Sequence, residues 1–114
     1  MPLIKTPRLE MFVEERGVGS PVLFVSGTGA DLRVKPNVLD SPLTKSFRVI
    51  AYDQRGLGQT QKPPGPYEMQ DYSIDAIALL DKLGIDNVHL VGVSFGGMVA
   101  LHVALQYPER ITKT

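Results

Sequence analysis

The five residues Gly92-Val93-Ser94-Phe95-Gly96 constrain the fold of this chain more than any others. They follow the apolar run Val88-His89-Leu90-Val91 and open into a helix-compatible stretch, residues 95–106. A serine between two glycines, where a buried strand turns into a helix, is the layout of a nucleophile elbow. The turn is so tight that the serine backbone is forced into a strained conformation with its hydroxyl projecting outward. Side chains two positions before and after would collide with the crossing backbone, hence glycine at 92 and 96. Read as structure alone, the same residues make a Gly-rich strand–helix turn with a surface serine. A nucleotide-binding reading fails, because the spacing is not G-x-G-x-x-G and no Gly-Lys-Ser/Thr follows.

Length and charge narrow the possibilities. The 114 residues suffice for one domain, small for an enzyme of the kind the elbow suggests. Twelve basic and twelve acidic residues cancel, without basic clusters, so nucleic acid and anionic membrane are not expected partners. There is no cysteine, which removes disulfides, thiolate metal sites and cysteine nucleophiles together. No metal or cofactor is expected. No run approaches the roughly 20 apolar residues of a membrane span, and the first residues lack the apolar core of a signal peptide. A soluble, cytoplasmic protein is the expectation.

Periodicity then orders the chain. Residues 9–15 partly alternate apolar and polar, as a half-exposed antiparallel strand does, and the turn formers at 16–21 predict a hairpin loop. Val22-Leu23-Phe24-Val25 is a continuous β-favouring run for a strand buried on both faces, broken by the small residues 26–31. A short helix is expected within 37–46, interrupted by Pro42, and a strand over 47–52. Residues 59–67, with three prolines and a glycine, form an irregular loop. Asp71 or Ser73 caps a helix running to Leu83, with Ile74, Ile77, Ala78 and Leu79 or Leu80 on one side and Asp75, Asp81 and Lys82 on the other. Gly84 marks its end. The strand at 88–93 and the helix at 95–106 follow, then Tyr107-Pro108, and Ile111-Thr112 could begin one more strand. Strands alternating with helices over long connections predict a mostly parallel α/β sheet, antiparallel at its start, with helices packed on it.

Three motifs in this order carry a resemblance: Ser26-Gly27-Thr28-Gly29 after a strand, Asp53-Gln54-Arg55-Gly56-Leu57-Gly58 after the next, and the elbow with Gly97 behind it. Together with Tyr107-Pro108-Glu109-Arg110-Ile111 they resemble the N-terminal half of an α/β-hydrolase, over residues 9–112. The segment 26–33 and the Gly97-Met98-Val99 after the elbow look most like enol-lactone hydrolases and small carboxylesterases. The resemblance implies Ser94 as nucleophile, activated by a base during attack. It implies backbone N–H donors for an oxyanion hole at Phe95 and Thr28, with Gly27 as neighbour. It gives Asp53 and Arg55 a structural task beside the active-site edge, because a triad acid in this fold follows a later strand. Many relatives carry a histidine where this chain has Ser26, which weakens the match to the commonest esterases.

Such a hydrolase needs nucleophile, acid and histidine in that order. His89 precedes Ser94 on the same strand, roughly 16 Å away, and His102 lies roughly 12 Å along the following helix. Neither can reach the hydroxyl, and Glu109 sits at a helix end on the opposite edge. The acid and histidine are therefore expected beyond Thr114, in a C-terminal half of a longer hydrolase, and the 114-residue chain alone is expected to be inactive. The expected reaction is cleavage of a small ester, lactone or related carbonyl bond through an acyl-enzyme on Ser94. A cofactor-free perhydrolase or haloperoxidase relative, and a non-catalytic hydrolase-like binding module, are the alternatives.

Overall fold

Side-chain alternation decides the layers of this molecule. In the strand Phe47–Tyr52, Ile50 and Tyr52 face one side of the sheet while Val49 and Ala51 face the other. The computed structural model describes residues 3–27 and 29–113. Its strands are β1 (Leu3–Lys5), β2 (Glu10–Arg16), β3 (Ser20–Val25), β4 (Phe47–Tyr52), β5 (Val88–Gly92) and β6 (Ile111–Lys113); its helices are α1 (Met69–Leu83) and α2 (Phe95–Gln106). They form one six-stranded sheet in the order β1-β2-β4-β3-β5-β6. Pairing is antiparallel for β1/β2 and β2/β4, and parallel for β3/β4, β3/β5 and β5/β6. This is the mixed, mostly parallel sheet with an antiparallel start that the sequence predicts.

One face carries the main core. Leu23, Val25, Ile50, Tyr52 and Leu90 pack there against Ala76, Leu79 and Leu80 of α1 and Val99 and Val103 of α2. On the other face Phe12, Val49 and Ala51 are covered by Leu32 and Leu39 from the β3–β4 connection. Helix α2 is apolar on both sides, since Met98, Leu101 and Leu105 point outward and are exposed.

Four expectations are corrected. Residues 16–21 do not close a hairpin: β4 lies between β2 and β3 in the sheet. Turn formers reverse the chain without choosing its partner, and the apolar β3 takes a parallel neighbour on each side. Gly17 and Gly19 let the loop cross the start of β4, where carbonyls of Thr44, Ser46 and Phe47 occupy the space a Cβ would need. Residues 37–46 hold two 3₁₀ turns, Val38–Asp40 and Pro42–Lys45, not a helix. Pro42 lacks the N–H that a continuing helix would use. Helix α1 begins at Met69; Asp71 sits inside it and accepts a hydrogen bond from the Glu68 N–H at 2.8 Å. Gly84 does end it, at φ 71°.

The fourth correction is Asp75, which is buried, not on a polar face. Arg55 donates to both its carboxylate oxygens, from Nε at 2.6 Å and Nη2 at 2.8 Å, and Arg8 Nε adds a third bond at 3.1 Å. β1, a three-residue edge strand between prolines, is not among the strands expected from the sequence.

Breaking this buried pair leaves a carboxylate or guanidinium without its partner, which costs about 3–5 kcal/mol, whereas an exposed pair is worth about 1 kcal/mol or less. Arg55→Ala and Asp75→Asn should each lower urea-unfolding stability by about 3 kcal/mol. Glu15→Gln, which breaks the exposed pair with Arg48, should change it by less than about 1 kcal/mol.

Candidate active site

The elbow forms because α2 must start directly above the end of β3. Ser94 closes the turn with φ 58° and ψ −123°, and it is the only residue other than glycine with positive φ among those described. Such a conformation costs about 1–3 kcal/mol and persists only where the surroundings over-determine it. The surroundings here are the two glycines. A Cβ on Gly96 would fall on the carbonyl oxygen of Val25 and come within 2.6 Å of that of Ser26. A Cβ on Gly92 would meet the Gly96 carbonyl oxygen and lie 2.8 Å from the Gly97 Cα. Any larger residue would therefore push α2 off β3, and the serine would relax out of its strained turn. Ser94 itself is exposed at the C-terminal edge of the sheet.

The N-terminus of α2 has a spare donor. Gly96 N–H bonds the Val93 carbonyl and Gly97 N–H bonds the Ser94 carbonyl, each at 2.9 Å. Phe95 N–H has no acceptor among the described residues, and the helix dipole adds partial positive charge there. Across from it, Gly27 packs against the serine: a Cβ there would stand 3.2 Å from Ser94 Cβ and 3.7 Å from its Oγ. Thr28, the second donor implied by the resemblance, lies outside the described residues. Beside Gly27 opens a cavity of about 360 Å³, walled chiefly by Phe24, Leu32, Val34, Val38 and Val93. Among the described residues no group of three or more His, Asp or Glu gathers where an ion could be held.

Asp53 holds the edge of the site together. Its Oδ1 accepts from Leu32 N–H at 2.8 Å and its Oδ2 from Gln59 N–H at 2.9 Å, which joins the loop after β3 to the loop after β4. Burial pushes this carboxyl above its usual range, and the two N–H bonds offset that only in part. The group therefore favours the native state most below its unfolded pKa, and that contribution is lost as pH rises through its higher folded value. Arg55 lies over the Tyr67 ring at 5.2 Å, Tyr67 meets Tyr72 edge-on, and Tyr72 meets Phe95 edge-on at 5.0 Å. The buried ion pair is thus in contact, through the rings of Tyr67 and Tyr72, with Phe95, the first residue of α2. Nothing in the helical periodicity of α1 signalled this chain; only its charge partner, twenty residues earlier, could have done so.

The histidines are elsewhere. His89 pairs with Val22 in the sheet and its ring packs edge-on against Phe47 at 5.8 Å, at the end of β5 remote from Gly92. His102 is half-buried two turns along α2, and Glu109 is exposed in the turn Pro108–Arg110.

A strand–elbow–helix unit at the C-terminal edge of a mixed sheet, with a backbone donor beside a strained serine, defines a hydrolase-type architecture. The model of the alpha/beta hydrolase fold matches residues 20–113, and the chain belongs to that family. It is 36% identical over 104 residues to a 2-hydroxymuconate semialdehyde hydrolase of Pseudomonas sp. strain CF600, covering 89% of this chain and 37% of the relative. It is 37% identical over 110 residues to epoxide hydrolase 2 of Siraitia grosvenorii, covering 95% and 35%. Its structure matches an enol-lactonase from Burkholderia xenovorans LB400 with a TM-score of 0.89 at 28% identity, covering 96% and 44%. The chain thus spans less than half the length of these relatives. Among the described residues no helix is long and apolar enough to cross a membrane.

Ser94→Gly should relieve the backbone strain and raise unfolding stability by about 1–2 kcal/mol. Gly96→Ala should do the reverse and cost more than about 4 kcal/mol, since the opposing atoms are main-chain carbonyls that cannot step aside. Thermal and urea unfolding check both.

Proposed function

We propose that the protein is a serine hydrolase that cleaves a small ester, lactone or related carbonyl bond through an acyl-enzyme on Ser94. The observation that carries this reading is the strained, exposed serine set directly beside an unpartnered N–H at a helix N-terminus. Attack by the hydroxyl places negative charge on the former carbonyl oxygen, and in this proposal the Phe95 N–H donates to it. The loop at Thr28 supplies the second donor in this proposal. Each such donor is worth on the order of 10²–10³ in rate. The largely apolar cavity beside Gly27 suits a small uncharged acyl portion. Two of the relatives are named for a semialdehyde and an enol-lactone, which supports carbonyl-centred chemistry.

His89 and His102 take no part in this proposal, because both lie away from the hydroxyl. The general base and its acid come from residues beyond 114 in a longer protein, as the greater length of the relatives allows.

The full-length protein should react covalently with a fluorophosphonate at Ser94 and turn over short-chain nitrophenyl esters. Ser94→Ala should abolish labelling and lower kcat by on the order of 10⁶. A full-length protein that neither labels nor turns over, or a Ser94→Ala variant as active as the parent, would overturn the proposal. The isolated 114 residues should show no efficient turnover.

A further inference from the structure

Gln54 stands between two residues whose partners are evident, and it is itself only 1% exposed. Its Nε2 donates to the carbonyl oxygen of Ser26 at 2.9 Å. A carbonyl can only accept, so this contact fixes which end of the amide faces the loop. The other end, Oε1, is buried without a donor among the described residues. An apolar side chain of the same shape would leave no such acceptor unsatisfied. Gln54 is therefore a poor choice for packing alone, and what it holds becomes the question.

It holds the Ser26–Gly27 peptide. The Ser26 carbonyl oxygen is pressed toward the first turn of α2, 2.6 Å from where a Cβ on Gly96 would stand. A trans peptide is planar, so a C=O turned toward Gln54 sends the N–H of Gly27 the opposite way. Gly27 is the residue that borders the serine hydroxyl. The plane of this peptide sets the direction of the Gly27 N–H beside Ser94. Released from Gln54, the peptide could rotate and turn a carbonyl oxygen toward the position where an oxyanion forms.

We propose that Gln54 is a positioning residue for the oxyanion side of the site, acting through the Ser26–Gly27 peptide and touching no substrate. This rests on the reading of Ser94 as the nucleophile. The test uses two variants of the full-length protein. Gln54→Met keeps the shape and removes the donor; Gln54→Glu keeps the shape and replaces the donor by a second acceptor.

For Gln54→Met, kcat should fall about 10- to 100-fold, part of what a whole oxyanion donor is worth, with KM within about threefold of the parent. Binding of a boronic-acid transition-state analogue should weaken in parallel with kcat, and Tm should change little, since loss of the bond to Ser26 is offset by removal of the unsatisfied Oε1. For Gln54→Glu, an ionised carboxylate repels the Ser26 oxygen while a protonated one can donate to it. Its kcat, taken relative to the parent at each pH, should therefore rise as pH falls. A Gln54→Met enzyme with parental kcat, or one in which only KM rises, overturns the proposal and leaves the Ser94 reading intact. So does a loss of kcat matched by a lower Tm together with a flat pH ratio for Gln54→Glu, which would mark a purely structural role. If the parent protein itself neither labels nor turns over, both readings fall together.

Discussion

The near-contact of the α2 N-terminus with the ends of the Val25 and Ser26 peptides is the constraint on which the rest of this structure depends. Glycine at 96 is what permits it, because a single methyl there would collide with main-chain oxygen. From this approach follow the tight turn, the positive φ of Ser94 and a Phe95 N–H without an acceptor among the described residues. The same approach places Gly27 against the serine side chain. The chemistry proposed for the site is therefore a by-product of helix–strand distance. Among the described residues no side-chain hydrogen bond fixes the serine hydroxyl; the backbone turn and its packing set the position of residue 94.

Around that contact the molecule is braced from both faces of the sheet. On the helical face the bidentate Arg55–Asp75 pair, with Arg8 behind it, ties the loop after β4 to α1, and aromatic rings carry the bracing to Phe95. On the other face Asp53 binds two loop N–H groups at once and draws the β3 and β4 loops together. Gln54 joins the end of β4 to the end of β3 between them. Three consecutive residues thus reach to three different elements. That is why a loop of small and charged residues can hold a fixed shape.

Much of this was legible in the sequence. The elbow could be read because its requirements are local: apolar strand, glycine, serine, glycine, helix, all within a dozen residues. The limits of β4 and α2 were legible for the same reason, since turn formers or Pro108 bracket them. The fate of Asp75 was not legible, because helical periodicity sorts residues by face and cannot see a guanidinium arriving from another loop. The order of the strands was equally hidden: residues 16–21 announce a reversal of direction, and only the competition of β4 for the edge of β3 decides that no hairpin forms. β1 was missed because three residues between prolines carry too little pattern to read. Gln54 gave no signal at all, since nothing in a loop motif tells which side chain will find a carbonyl.

The sheet order also bears on the time course of folding. β3 lies at the centre and pairs with β4 and with β5, so its second partner arrives only after some sixty residues of chain have intervened. Such long-range parallel pairing is slow to form, because the entropy of closing the loop is lost before the contacts are gained. Before β5 docks on β3, the Val25 and Ser26 carbonyls are not there to force the turn, and residue 94 is an ordinary serine in a relaxed chain. The strained backbone of residue 94 is thus acquired only when β5 docks on β3, and it belongs to the assembled sheet rather than to the local sequence.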